Sequence, residues 1–320
     1  MWQKLAAALV SVAALHVSAQ GYPTRAITVV VPFTPGGSSD ITARTVSAKL
    51  SEILGQPIII DNKPGANGSI GATYVAKSSP DGYTLFVGSI GVFAINPVLY
   101  KDLAYEPRRD FDLLSVAVRT PNALVTTASF PPNNIAEFID YLKKNPDKVS
   151  FASSGTGSSD HLTAVLFWQK TGTSGIHIPY KGGSAAHMDI IAGNSNVSFQ
   201  NLGSIANHVR GGKMKLLAVT ADKRDPTFPN VPTLGESGIT GLEVFSWQAF
   251  VAPKGLPKEV REKLEPALIA AIRHPDTVKK FNDIGFEVVG NNGAEFAKFL
   301  NEELARWKQV IDAGGIKQSD

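Results

Sequence analysis

The chain has 320 residues, no cysteine, and 31 basic against 28 acidic side chains, a formal net charge of +3. The lack of cysteine excludes disulfides, a thiolate nucleophile and a zinc–thiolate site. So even a charge balance offers no basic face for nucleic acid and no basic run for an anionic membrane.

The first residues read as a secretory signal peptide, 1–19. Lys4 is the only charge before a run of small and apolar residues from Leu5 to Val17, and Val17-Ser18-Ala19 fits a small-residue cleavage site. The run is too short to span a bilayer. Removal of Lys4 with this segment takes the formal charge from +3 to +2. About 300 residues then remain, enough for one or two domains with substantial cores. No cysteine follows the cleavage site, so lipid anchoring there is excluded. An exported chain that folds without disulfides points to a bacterial periplasm.

In chain order, Ile27, Val29, Val30 and Val31 form an apolar β-branched run, the pattern of a fully buried strand. It stops at Pro32, turns through Pro35, Gly36 and Gly37, and delivers Ser38, Ser39 and Asp40 to a helix start. Paired glycines allow a bound group to approach the backbone closely. The opening amides of a helix lack intrahelical partners and sit at the positive end of its dipole, which suits a small carboxylate or phosphate. An ordinary turn capped by Ser39 or Asp40 fits the same residues. The helix runs from Ile41 to Leu54 and stops at Gly55, with Arg44 one turn beyond Asp40 and able to pair with it. A second strand follows at 57–60, then a glycine-rich turn, D-N-K-P-G-A-N-G-S, an alanine-rich helix at about 70–77, and a third strand at 84–88. Strands alternating with helices predict a parallel sheet, the opening half of a doubly wound α/β domain.

Residues 89–112 read as irregular, and 113–128 as an alternating extended ladder interrupted at Pro121. A helix ends near Lys144. The second half then opens as the first did, with a strand at 149–152, the small-residue loop S-S-G-T-G-S-S-D-H (Ser153 to His161) and a helix carrying Leu162, Val165 and Leu166. Further strands are expected at 176–180, 197–199, 214–220 and 244–251, with a third glycine-rich helix entry at Lys181-Gly182-Gly183-Ser184. Apolar spacing marks two C-terminal helices, Val260 to Ala271 and Phe296 to Ile311, expected to pack back on the first half.

The sharpest catalytic alternative is a hydrolase using Ser158 and His161. No G-x-S-x-G elbow accompanies them, and nearness in sequence does not supply triad geometry. The six histidines are scattered, and neither H-E-x-x-H nor a phosphate-binding glycine signature occurs, so no metal or cofactor is expected. The positive signal is a pair of small-residue loops feeding helix starts in two separate halves. Between such halves a cleft can hold an anion from both sides and close by a hinge.

Six stretches, Y-P-x-R-x-I-T-x-V-V-P-F-x-P-G-G-x-x-D, G-A-N-G-S-I-G-A, S-P-D-G-Y-T-L, N-P-x-L-Y-K-D-L-x-Y, I-P-Y-K-G-G and V-P-T-L-G-E-S-G, occur in this order. Together they resemble the Bug/TctC family, the extracytoplasmic solute receptors of tripartite tricarboxylate transporters, from Tyr22 to the C-terminal helix. The resemblance implies an α/β, two-lobed periplasmic-binding-protein fold of type II-like form. Each lobe would be a mixed, mostly parallel sheet flanked by helices, with the ligand in the interlobe cleft. Lobe 1 would comprise 20–121 plus 245–320 and lobe 2 residues 122–244. It further implies no enzymatic activity, a monomer in the periplasm, and a small organic carboxylate held partly through ordered waters. The ligand would be presented to the membrane components of a transporter or to a sensor. Family ligands include amino acids, di- and tricarboxylates and aromatic acids. Carried over residue by residue, the first-lobe loop falls on Phe33, Thr34, Gly36, Gly37, Ser38 and Ser39. The second-lobe loop falls on Ser153, Ser154, Gly155, Thr156, Gly157 and Ser158, with His161 just behind; Ser89, Ala185, Gln200 and Asn201 complete the site. Many relatives carry an acid near the end of the strand that here finishes Phe199-Gln200-Asn201. The neutral amide pair points to a ligand without an amino group, such as a dicarboxylate or an aromatic acid.

Overall fold

The computed structural model describes residues 21–316; the expected signal peptide and its cleavage site lie outside them. The strands are β1 (Ile27–Val31), β2 (Ile58–Asn62), β3 (Thr84–Ser89), β4 (Phe111–Thr127), β5 (Ser150–Ser153), β6 (Ile176–Pro179), β7 (Val197–Asn201), β8 (Met214–Val219), β9 (Phe245–Pro253) and β10 (Glu287–Val288). The helices are α1 (Ser38–Leu54), α2 (Ser69–Ala76), α3 (Asn96–Leu99), α4 (Pro107–Asp110), α5 (Ile135–Lys144), α6 (Ser159–Thr171), α7 (Gly183–Ala192), α8 (Leu202–Arg210), α9 (Lys258–Arg273), α10 (Pro275–Asn282) and α11 (Gly293–Gly314).

One mixed sheet runs through the molecule in the order β2-β1-β3-β9-β4-β7-β5-β6, with β8 and β10 also on β4. The parallel pairs, β1 with β2 and β3, and β5 with β6 and β7, come from the strand–helix–strand units read in the sequence. Every antiparallel pair involves β4 or β9. β4 is where the two halves meet: it pairs with β9 from Phe111 to Pro121, and with β7 from Asn122 onward. Pro121 has no N–H to give a ladder, and it stands where β4 changes partners. The strand therefore runs through Pro121 rather than breaking there. It also does not alternate, because Arg119 is its single exposed residue and both faces are covered.

On one side of the first half, Val29 and Val31 meet Val46 and Leu50 of α1 and Leu264 and Leu268 of α9. On the other, Phe86, Phe93, Phe111 and Trp247 pack with Phe296 and Trp307 of α11. That second cluster continues to Phe138 and Phe167, so one core extends across both halves. The last turn of α11 reaches α6, where the Gln169 side-chain amide donates to the Gly314 carbonyl at 2.7 Å. The C-terminal helices cover the first half as expected, and α11 also bridges to the second. Residues 89–112 are less irregular than their breakers suggest. A wide helical turn, Gly91–Ile95, leads into α3, and all five of its residues are buried.

Candidate functional site

Four helices aim their N-termini into one small cavity of about 30 Å³ between the two halves. Gly37, Ser38 and Ser39 come from α1, Ser158, Ser159 and Asp160 from α6, Gly183 from α7, and Asn201 and Ser204 from α8. Ser38 and Ser39 of α1 precede the helix's first backbone bond, Ile41 N–H to Gly37 O. Their amides are thus left for a guest or a nearby side chain. Phe33, Asn67, Ser89, Ser154, Gln200, Ser246 and Gln248 complete the wall, and no lysine or arginine is among the lining residues. Positive potential here comes from helix ends rather than from cations.

The second-half loop is held by Asp160. Its Oδ2 accepts the Ser154 amide at 2.7 Å, the Ser154 hydroxyl at 2.5 Å and the Gln200 side-chain amide at 3.3 Å. Burial pushes its carboxyl above the ordinary range, and the Ser154 donors offset that only in part. Gln200 is locked as well: its Nε2 donates to Asp160 and Ser198, so its Oε1 faces His187 Nε2 at 2.8 Å, and that nitrogen carries the proton. Burial drives three imidazoles of this half down, His187 to about 4, His177 to about 4, and His161 to about 3 with His177 adding to the effect. His161 stacks on His177 at 3.8 Å, and its Nδ1 accepts the Gly157 amide. Ser158 caps α6 by accepting the His161 backbone amide at 3.3 Å. The paired serine and imidazole of this region are instead Ser153 and His177, 2.6 Å apart.

The first-half loop is held differently. Asp40 Oδ2 accepts the Gly36 amide at 2.9 Å and Arg44 Nε at 2.9 Å, while Asn62 donates to its Oδ1 at 3.0 Å. Burial raises its carboxyl, but the Arg44, Asn62 and Gly36 donors outweigh this and hold it below the usual range. The bland pairing expected from sequence is what forms, and Asp40 does not line the cavity. Asn67 adopts a left-handed conformation (φ +45°) in the turn before α2. Its Nδ2 donates to Asn96 Oδ1, because Asn96 Nδ2 is spent on the Asn67 carbonyl, Ser69 and Tyr105.

The two halves are shut on each other. Thr34 Oγ1 lies 2.7 Å from Ser184 Oγ, and Tyr100 donates to the Thr156 carbonyl at 3.1 Å. Gly182 (φ +148°) allows this approach, since a Cβ there would sit 2.5 Å from Thr34 Oγ1.

Of the residues expected from sequence, Phe33, Gly37, Ser38, Ser39, Ser89, Ser154, Ser158, Gln200 and Asn201 meet in the cavity wall. Thr34 and Thr156 lie instead at the contact between halves, and Gly36 at the Asp40 turn. Ser153 and His161 lie behind the wall, while Gly155 and Gly157 face Asn67, Asn96 and Leu99 of the first half. Ala185 is displaced from the wall by Gly183, two residues earlier at the start of α7. Sequence reasoning missed Asn67, Ser159, Asp160, Gly183, Ser204, Ser246 and Gln248. Asp160 had a visible signal, the repeat of Gly-Ser-Ser-Asp at 37–40 and 157–160. Its presence removes the ground for expecting a ligand without an amino group, because an acid does line the cavity, supplied by α6 and not by β7.

Two α/β halves joined by strands and closed over an anion-suited cavity make up a periplasmic solute-binding protein. The structure of the periplasmic binding protein BugD superposes with a TM-score of 0.90 at 35% identity, covering 93% of this chain and 100% of that one. The model of the tripartite tricarboxylate transporter family receptor, TctC, matches residues 42–316, and the chain belongs to that family. It is 35% identical over 291 residues to a UPF0065 protein from the tcbD–tcbE intergenic region of Pseudomonas sp. strain P51, covering 91% of this chain and 86% of the relative. Two further structures are similar. An R. palustris protein with adipate has a TM-score of 0.89 at 36% identity, covering 92% of this chain and 99% of its own. MatC from Rhodopseudomonas palustris with bound malate has a TM-score of 0.86 at 33% identity, covering 91% and 100%.

Proposed function

We propose that this chain captures a small organic carboxylate by hinge closure of two lobes and presents it to the membrane components of a tripartite transporter. Lobe 1 is 20–121 plus 245–320 and lobe 2 is 122–244, with the hinge where β4 and β9 cross at Pro121 and Phe245. The observation that carries this reading is the convergence of four helix N-termini on a cavity without a cationic side chain. Backbone amides and serine hydroxyls suit a carboxylate oxygen, and they leave no fixed arginine to set ligand length. The adipate and malate of the solved relatives are both dicarboxylates, which supports the same ligand class here.

In this reading the α1 start (Gly37, Ser38, Ser39) and the α6 start (Ser158, Ser159) grip the carboxylate from opposite lobes, while Ser154, whose amide and hydroxyl are held by Asp160, shapes the wall beside them. Phe33 covers an apolar face of the ligand, and Ser89, Gln200 and Asn201 set its orientation. The receptor acts as a periplasmic monomer after cleavage near Ala19. A thermal-shift screen against a carboxylate panel tests it, since a ligand that binds only the folded state raises the midpoint with concentration. Failure of every carboxylate to shift the midpoint, together with Ser158-dependent ester hydrolysis, would overturn it.

A further inference from the structure

The cavity wall holds more hydrogen-bond acceptors than a plain carboxylate can use. Asn67 Oδ1 and Gln248 Oε1 are buried without a partner. Both residues line the cavity; Gln248 is 0% exposed and Asn67 7%. For Asn67 the orientation is set by the network, because its Nδ2 must serve Asn96 Oδ1. The third acceptor is Asp160. Its Oδ2 is saturated, but Oδ1 has only the distant Ser159 hydroxyl at 3.3 Å beyond its own residue, and no cation pairs with the carboxylate among the described residues. A ligand offering only carboxylate oxygens would leave both amide oxygens dry and bring no donor to Asp160 Oδ1. Buried polar atoms left so are costly.

Resting on the receptor reading above, we infer that the ligand carries a hydrogen-bond donor, a hydroxyl or an ammonium, beside its carboxylate. Asp160 is the specificity-determining residue that receives this donor, with Asn67 and Gln248 as its co-acceptors. The four helix starts hold the carboxylate, and Asp160 reads the substituent next to it. Hydroxy acids and amino acids share this chemistry, and an ammonium would gain the larger attraction from an ionised Asp160.

Isothermal titration with matched sets separates the possibilities: propionate, lactate and alanine; succinate, malate and aspartate; glutarate, 2-hydroxyglutarate and glutamate. In the best-bound set, the unsubstituted acid is expected to bind wild type at least roughly tenfold more weakly than a substituted one. Which substituted member leads assigns the donor as hydroxyl or ammonium. Asp160→Asn is expected to collapse that preference, read as the ratio of affinities within the set rather than as the absolute affinity of any one member. Carboxylates that bind wild type without a preference for the donor-bearing member overturn the inference and leave the receptor reading intact. A preference that survives in Asp160→Asn overturns the assignment to Asp160. Absence of binding by every member, while other carboxylates are also inert in the thermal-shift screen, removes the receptor reading and the inference with it.

Discussion

The same four residues, Gly-Ser-Ser-Asp, open α1 and α6, and the two turns use their aspartates in opposite ways. At 37–40 the acid folds back onto the Gly36 amide and meets Arg44 one turn later. At 157–160 the acid folds back onto the Ser154 amide, and the residue one turn later is the buried Ala164. Asp40 is thereby neutralised and turned away from the cavity, whereas Asp160 is left without a cation in its wall. One position four residues downstream decides whether a capping acid is scaffold or contact. The halves differ in a second way: the buried His161 and His187 and the partly buried His177, the imidazoles pushed furthest down, all belong to the second half.

The largest effect expected from this asymmetry is on acid stability. The folded-state pKa of His187 is depressed to about 4, so the unfolded chain binds protons first as pH falls. Stability should be lost between pH 6.5 and 4, by about 3 kcal/mol from His187 alone. Denaturant titrations at pH 7 and pH 4.5 measure the loss. Hydrogen exchange at the lower pH should show α6, α7 and β5–β7 losing protection before α1 and β1–β3. Equal loss in both halves would break the comparison.

Next comes the pair of aspartates. Asp40→Asn removes an ion pair whose arginine is half exposed, and should cost about 2 kcal/mol in a urea titration. Asp160→Asn removes a charge that the fold already disfavours, so its stability at pH 7 should be unchanged or higher. Similar losses in both variants would mean that the two acids do the same work. The smallest effect concerns closure. Thr34→Ala deletes the hydroxyl contact with Ser184 and should weaken carboxylate binding by no more than about fivefold, with an unchanged melting midpoint. A large fall in that midpoint would place Thr34 in the fold rather than at the contact.

Much of this was legible in the chain itself. Ile27–Val31 and the glycine entries at 36–37 and 182–183 announced strands and helix starts, because β-branched runs and paired glycines have few other uses. Ser38, Ser39, Ser154 and Ser158 followed as cavity-wall residues from the same logic, although the donors of Ser154 are taken by Asp160. Asn67 and Gln248 were not legible, since an amide becomes an orphan acceptor only through the neighbour that takes its N–H, here Asn96 from 29 residues away. Pro121 misled in a different way: as a breaker it suggested an interruption, and the partner change that accommodates it depends on β9, which arrives more than a hundred residues later.

That late arrival bears on how the molecule is made. β9 lies between β3 and β4, so the centre of the sheet is completed by a segment that begins only at Phe245. A chain that stops short of it leaves β3 without its second neighbour and β4 without its main ladder in the first half. The local units β1–β3 and β5–β7 can collapse early, but their joining waits on contacts of long sequence separation, which are slow to form. The nascent chain thus lacks the centre of its sheet until the segment from Phe245 to Pro253 has been made.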